Sequence, residues 1–572
     1  MQHHVIKQSI LNFLLEHRSG AFDLQERFSR LHEERIVPIL DEICTKNCAP
    51  DDYIKIDRLE IDLGTISSMD FEEELEQAIT RTFEERLRDR IDSVRLLPRT
   101  RSAEASPAVD LTFGTGSDDA RADEIEDASV RALKLVEHFL KYGTLPWWAP
   151  EDSAYHLDEV LDECVNRSAH DTAHMLREAM RFSSCRQRLI LQFSNASMSA
   201  VVRLLASGPV RAIVALALEV TGNRVLSPAG FSPPQRVLLA EAINRDLLDA
   251  LAGQQESQTI IAEACRIVSR HVAYHSDTTV GETVPALHEQ LASSPLSASL
   301  KRQITAGLEL VQAAQDASST LDSNLQEVVR QSERKSGEEA RRTSQDAQSD
   351  DVASSSRNKD LLWPGGQNQS ESLHAATEKK RPLSQMLEDY AHGARPAAPE
   401  SEPIAEPDEM YLRNAGLVLL WPYLSSLFER CGYLEGTQFK DAESTVRAMH
   451  LLHFAATGAQ EPVESELALN KLLCNWHESR PVPKRLELSD VAKSETEDLL
   501  KAAIDNWSAL KSTSVDGLRT SFLQRNGIAQ KKDAGRLVRV ERKSYDMLLE
   551  KLPWGMSIIT LPWLEGIIHV EW

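Results

Sequence analysis

The sequence has no apolar run long enough to cross a bilayer, which takes about 20 apolar residues in a row. Its densest stretch, "NAGLVLLWPYLSSLFER" at 414–430, places seven aliphatic or aromatic side chains in the eight positions from Leu417 to Leu424. Arg413 and Glu429-Arg430 bracket it closely, so a membrane anchor is excluded and a membrane is not an expected partner. Basic charge is also in deficit: 64 Lys and Arg stand against 88 Asp and Glu, a net charge of -24. Nucleic acid, which calls for a basic footprint, is therefore not expected either, and the acidic balance favours basic partners. Cysteine is sparse and unpaired. The seven thiols, Cys44, Cys48, Cys164, Cys185, Cys265, Cys431 and Cys474, are odd in number and scattered, the pattern of reduced thiols in a cytoplasmic protein. Cys44 and Cys48 form a C-x3-C without a second pair at ligand spacing, so no metal is assigned to them. The opening residues, "MQHHVIKQSILNFLLEHRSG", have no basic start, long apolar core or small-residue cleavage site, so no secretion signal is expected.

The motifs of catalysis are missing as well. There is no G-x-S-x-G and no P-loop, and "GTGSDD" at 114–119 is a lone G-x-G. "HEERI" at 32 and "HEQLA" at 288 lack the second histidine of a zinc helix, and His3-His4 are incidental. His450 and His453, three apart on an apolar helix, read as core-edge or hydrogen-bonded residues. The many carboxylates fall on helix faces, where solvation explains them. No catalytic residue, metal ligand or cofactor is expected, and the chain is not expected to be an enzyme.

What is present is enough apolar material, 41% of residues, for several globular cores; at roughly 150 residues each, 572 residues suggest about four units. The expected class is mainly α with small β elements near both termini, a multi-domain helical protein with a long disordered linker. Residues 1–97 read as helix, strand, helix. In "YIKIDRLEIDLGTI", Ile54 and Ile56 alternate on one phase and Leu59, Ile61 and Leu63 on the other, a strand with a slip near Asp57-Arg58. One such strand cannot close a sheet, so it needs a partner. Residues 98–125 read as a linker and 126–331 as a helical domain, with Gly143 and Gly253 placed to end helices and prolines opening the helix after Ser232. Residues 332–408 are polar and rich in Ser and Pro, a disordered linker. Residues 409–572 form a helical domain ending in three short strands, "RLVRVE", "MSIITLPWL" and "GIIHVEW", around the helix "SYDMLLEKLP". In the stretch 414–430, Leu417, Leu420, Trp421, Leu424, Leu427 and Phe428 share one helical face; Pro422 is expected to kink that helix and Gly432 to end it. Ser494 and Glu497 have capping-box spacing.

One pattern recurs: leucine or proline beside tryptophan, in "LPWW" at 145, "LLWP" at 361 and again at 419, "LPWG" at 552 and "LPWL" at 561. Two readings stand. These are core corners, or some of Trp147, Trp148, Trp363, Trp421, Trp554 and Trp563 are partner contacts, since buried indoles dominate many interfaces.

The same residues carry a family resemblance. "IDRLEIDLG" at 56–64 with "FEEEL" at 71, "FLKYGTLPWW" at 139–148, "NAGLVLLWPYLSSLFERCG", "RAMHLLHFAATG", "ESELALNKLLC", "LLKAAIDNWSALKSTSVDGLRTSFLQRNG" and "DMLLEKLPW…LPWLEGIIHVEW" resemble the tape-measure proteins of extracellular contractile injection systems, the phage-tail-like particles. The family pattern has glycine after "KLLC" where this chain has Asn475. The resemblance covers about half the chain. It implies a non-catalytic protein in the lumen of the inner tube that sets how many rings of tube and sheath stack. Inner-tube and baseplate or cap proteins would be its partners, with several copies per particle. An assembly chaperone or scaffold of the same particle, with no metric role, is the alternative. Fully helical, 572 residues would reach roughly 860 Å at about 1.5 Å each, but the pattern is one of short, broken helices.

Overall fold

In the computed structural model the described residues are 31–48, 53–56, 58–66, 70–96, 124–126, 128–220, 231–252, 257–317, 407–510, 512–532 and 535–572, with positions 4, 6, 9–12 and 27–28. Trp363, Gly253 and almost all of the two segments read as linkers lie outside them. The described chain is mainly helical, with a small sheet near its C-terminal end. It divides into two compact units, Met1–Leu205 with Ala398–Trp572, and Ala206–Ala397.

In the first unit, a π turn at His32–Ile36 leads into α1, Val37–Asn47. Strand β1, Tyr53–Lys55, is followed by α2, Phe71–Leu96. Phe71, Leu75, Ile79, Phe83, Leu87 and Ile91 of α2 are buried with Leu40 and Ile43 of α1. A stripe at every fourth residue drifts around a helix of 3.6 residues per turn, so no single straight partner can cover it. The extended segment after β1 supplies more cover: Ile54 and Ile56, and then Leu59, Ile61 and Leu63, all pack on this cluster. The slip in the alternation is what keeps both runs facing it. Only Tyr53–Lys55 is strand, and it finds its partner within the chain, pairing antiparallel with β2, Glu124–Glu126. Four of the five helices that follow are short: α3, Ala128–Tyr142; α4, Leu157–Arg167; α5, Ala169–Ala179; α6, Ser183–Gln192; and α7, Asn195–Leu205. Gly143 ends α3 at φ +71°, its N–H donating to Phe139 O at 2.8 Å. The second unit holds α8, Gly208–Val220; α9, Pro233–Ala252; α10, Ser257–Ser276; α11, Val280–Ser293; and α12, 298–317. Prolines open α9 as expected, and Thr279 with Glu282 forms a capping box on α11.

The C-terminal half of the first unit begins with β3, Glu409–Leu412. The stretch 414–430 is not one kinked helix. A 3-10 segment, Ala415–Leu420, is entirely buried, and α13, Trp421–Arg430, starts after it with Pro422 in its first turn. Proline is at home there because the first N–H groups of a helix have no intrahelical acceptor. Of the expected apolar face, Leu417, Leu420, Leu424, Leu427 and Phe428 are buried and Trp421 is half-buried, and Gly432 follows at φ +72°. A small hairpin of β4, Leu434–Glu435, and β5, Gln438–Phe439, precedes α14, Ala442–Thr457, α15, Ala468–Leu473, and α16, Asp490–Asn506. Ser489, not Ser494, caps α16, its hydroxyl accepting from Ala492 N–H at 3.2 Å. The helix thus starts a turn earlier than the Ser494–Glu497 spacing suggests. After α17, Val515–Leu518, come β6, Gly527–Lys532; β7, Gly535–Val540; a 3-10 helix, Ser544–Lys551; β8, Ile558–Ile559; and β9, Ile567–Glu571. The sheet order is β3-β6-β7-β9-β8, with β7 and β9 parallel and the other pairs antiparallel.

Candidate functional site

The tryptophan corners pair with one another. Trp421 follows the buried 3-10 segment and Trp554 follows the 3-10 helix Ser544–Lys551. The Trp421 indole N–H donates to Gly555 O at 2.8 Å, and the Trp554 indole N–H donates to Leu419 O at 3.0 Å. "LLWP" at 419 and "LPWG" at 552 therefore form a reciprocal clasp, with Tyr423 edge-on to Trp554 at 5.3 Å. Trp563 is only 2% exposed, donates to Leu473 O at 2.8 Å and packs on Phe428 and Phe439. Trp147 and Trp148 are half-buried after Gly143, and the Arg131 guanidinium lies 4.7 Å from the Trp148 ring while donating to Trp148 O. Replacing Trp421 or Trp554 by Phe removes one donor each and is expected to cost about 1 kcal/mol in urea unfolding. If the clasp acts as one unit, the double variant will cost less than the sum of the singles; strict additivity would show two independent bonds.

A second constellation joins two elements distant in sequence. Arg188 on α6 and Glu464, in the 3-10 turn before α15, are both fully buried side chains. The guanidinium donates to both carboxylate oxygens, at 2.9 and 3.1 Å, and to Ser479 O at 2.8 Å. It also donates to Leu140 O and to Lys141 O, the open carbonyls at the end of α3, where a cation is favoured by the helix dipole. Lys471 Nζ reaches the same Glu464 at 2.5 Å and Glu478 O at 2.9 Å. Burial pulls the Lys471 ammonium below its usual range, and Glu464 opposes that pull. Gln192 accepts from the Glu464 N–H at 3.1 Å and donates to Val482 O at 2.7 Å. Tyr155 donates its hydroxyl to Glu466; burial and that carboxylate push the phenol up to about 12. Gly143 makes room for this set: a Cβ there would overlap the Glu464 carboxylate and come within 2.9 Å of Arg188 Nε. Two segments that carry the family resemblance, "FLKYG" and "ESELALNK", thus meet in space.

These residues were not singled out from the sequence, where their charges read as solvated. No local pattern marks Arg188 and Glu464, 276 positions apart. Both histidines lie in the core, and one of them is hydrogen-bonded. His450, 2% exposed, donates through Nε2 to Pro483 O at 2.9 Å, and His453, 3% exposed, has Nδ1 3.9 Å from Glu466. Burial holds both down to about 4. All seven cysteines are free thiols. Among the described residues, no group of three or more His, Cys, Asp or Glu could hold a metal ion, and no helix is long and apolar enough to cross a membrane.

The arrangement is therefore one of aromatic clasps and buried charge. No curated protein and no solved structure matches the chain. The family model described as contractile injection system tape measure protein matches residues 3–572, and the chain belongs to that family of structural, length-determining proteins.

Proposed function

We propose that the chain sets particle length without catalysis from within the lumen of the inner tube. On this reading it touches inner-tube proteins along its length and baseplate or cap proteins at its ends, in several copies per particle. The observation that carries the reading is the family match over 3–572. Segments 1–97, 126–331 and 409–572 would grip, and 332–408 would supply adjustable length. The half-buried Trp147, Trp148, Trp421 and Trp554 keep surface for a partner, whereas Trp563 would act through the core that it fills. In-frame shortening and lengthening of 332–408 is expected to shorten and lengthen particles in electron micrographs. Particles of unchanged length would remove that segment as the ruler, and assembly lost at every length would point to a scaffold with no metric role.

A further inference from the structure

We propose that the Arg188–Glu464 junction is a latch: it opens as a unit and lets the block 128–205 part from 407–572 while both stay folded. The proposal rests on the length-setting reading for its purpose, since a protein of short packed helices must lengthen if it is to span a tube.

The bonds described across the junction are polar. Arg188, Gln192 and Tyr155 stand on one side, and Glu464, Glu466, Ser479 and Val482 on the other. Each side also has its own apolar core, with Phe139, Leu161 and Leu176 in the first and Phe428, Leu452 and Leu500 in the second, all at most 1% exposed. None of these six residues makes a bond across the junction.

Each charge also keeps a local partner when the two sides separate. Arg188 retains the α3 carbonyls of Leu140 and Lys141, and Glu464 retains Lys471. This answers the usual objection to opening a buried ion pair, that an uncompensated charge is left behind. Desolvation offsets most of the Coulomb attraction in such a pair, so it fixes geometry more than it adds stability. Opening lets water onto the charges of the pair, which water solvates, and that lowers its cost.

The test is hydrogen exchange, read by mass spectrometry, on the full-length chain and on Glu464→Gln. Amides at 143–145, 476–480 and 482 are expected to lose about tenfold in protection, while α4 and α14 change by less than about twofold, because local opening is measured separately from core opening. Parallel loss in α4 and α14 would show that the pair belongs to one cooperative core and would overturn the latch. So would unchanged exchange at the junction. Should Glu464→Gln fail to fold, Gln192→Ala removes only the flanking bonds. It should loosen the same amides less, again with α4 and α14 unchanged; any loss of protection in those helices counts against the latch here too. The readout is taken on the isolated chain, so failure here leaves the length-setting reading, which is tested on particles, untouched.

Discussion

Gly416→Ala is expected to unfold the C-terminal half of the first unit rather than soften it. Gly416 lies in the buried 3-10 segment, and a Cβ built on it would overlap the carbonyl oxygen of Phe522 and come within 2.8 Å of Leu523 Cα. The obstacle is backbone, so no rotamer can relieve it. The segment cannot retreat either, because the Ala415 N–H donates to Arg525 O at 2.8 Å and Ala415, Leu417 and Val418 are all 0% exposed. Overpacking at a yielding site costs about 1–3 kcal/mol; at this unyielding one the loss should exceed about 4 kcal/mol, a large part of a domain's stability. Urea unfolding followed by tryptophan fluorescence measures it. Gly555→Ala is the control: nothing lies within 4 Å of its Cβ, and a change within about 0.5 kcal/mol is expected there.

Acid is expected to destabilise the same half between pH 6.5 and 4. Burial holds His450 and His453 down to about 4 against an ordinary value of 6.5. Between those values the unfolded chain binds a proton at each position and the folded chain does not, so stability rises with pH through the window and falls on acidification. Going from pH 7 to pH 5 should cost about 2 kcal/mol per histidine, about 4 kcal/mol for the pair. The Arg447 charge near His450 works in the same direction as burial there, and the two histidines repel once charged. Urea midpoints at pH 7, 6 and 5 test this, and His453→Asn should reduce the slope by about half. A flat profile would mean that both imidazoles reach water in the native state.

Helical faces were legible in the sequence because their apolar residues repeat at helical spacing. Leu417, Leu424 and Phe428 fall where that spacing puts them and are buried. Breaks were less legible. Pro422 marks a discontinuity in either reading, and only the hydrogen bond from Trp421 N–H to Val418 O shows that it opens a new helix after a tighter one. The strands β7 and β9 announced themselves by alternation. Strands β3 and β6 did not: "EMYL" is four residues long, and "GIAQKK" buries only Ala529 fully. Their place is set by pairing with each other and with β7, which is long-range information. The buried charges were the least legible of all. Arg188, Glu464 and Lys471 look like wet helix faces until the fold brings three separate turns together and closes water out.

The sheet order also dictates a sequence in time. Strand β8 is bonded only to β9, and β9 fills the place between β7 and β8. The sheet therefore cannot close until residues 567–571 have been made and have emerged. Until then β7 carries an open edge, the kind of surface on which nascent chains stick to each other. Closure of the sheet must wait for that strand, and pairings this far apart along the chain make the step slow. While β9 is awaited, the unpaired edge of β7 is what this half exposes to aggregation.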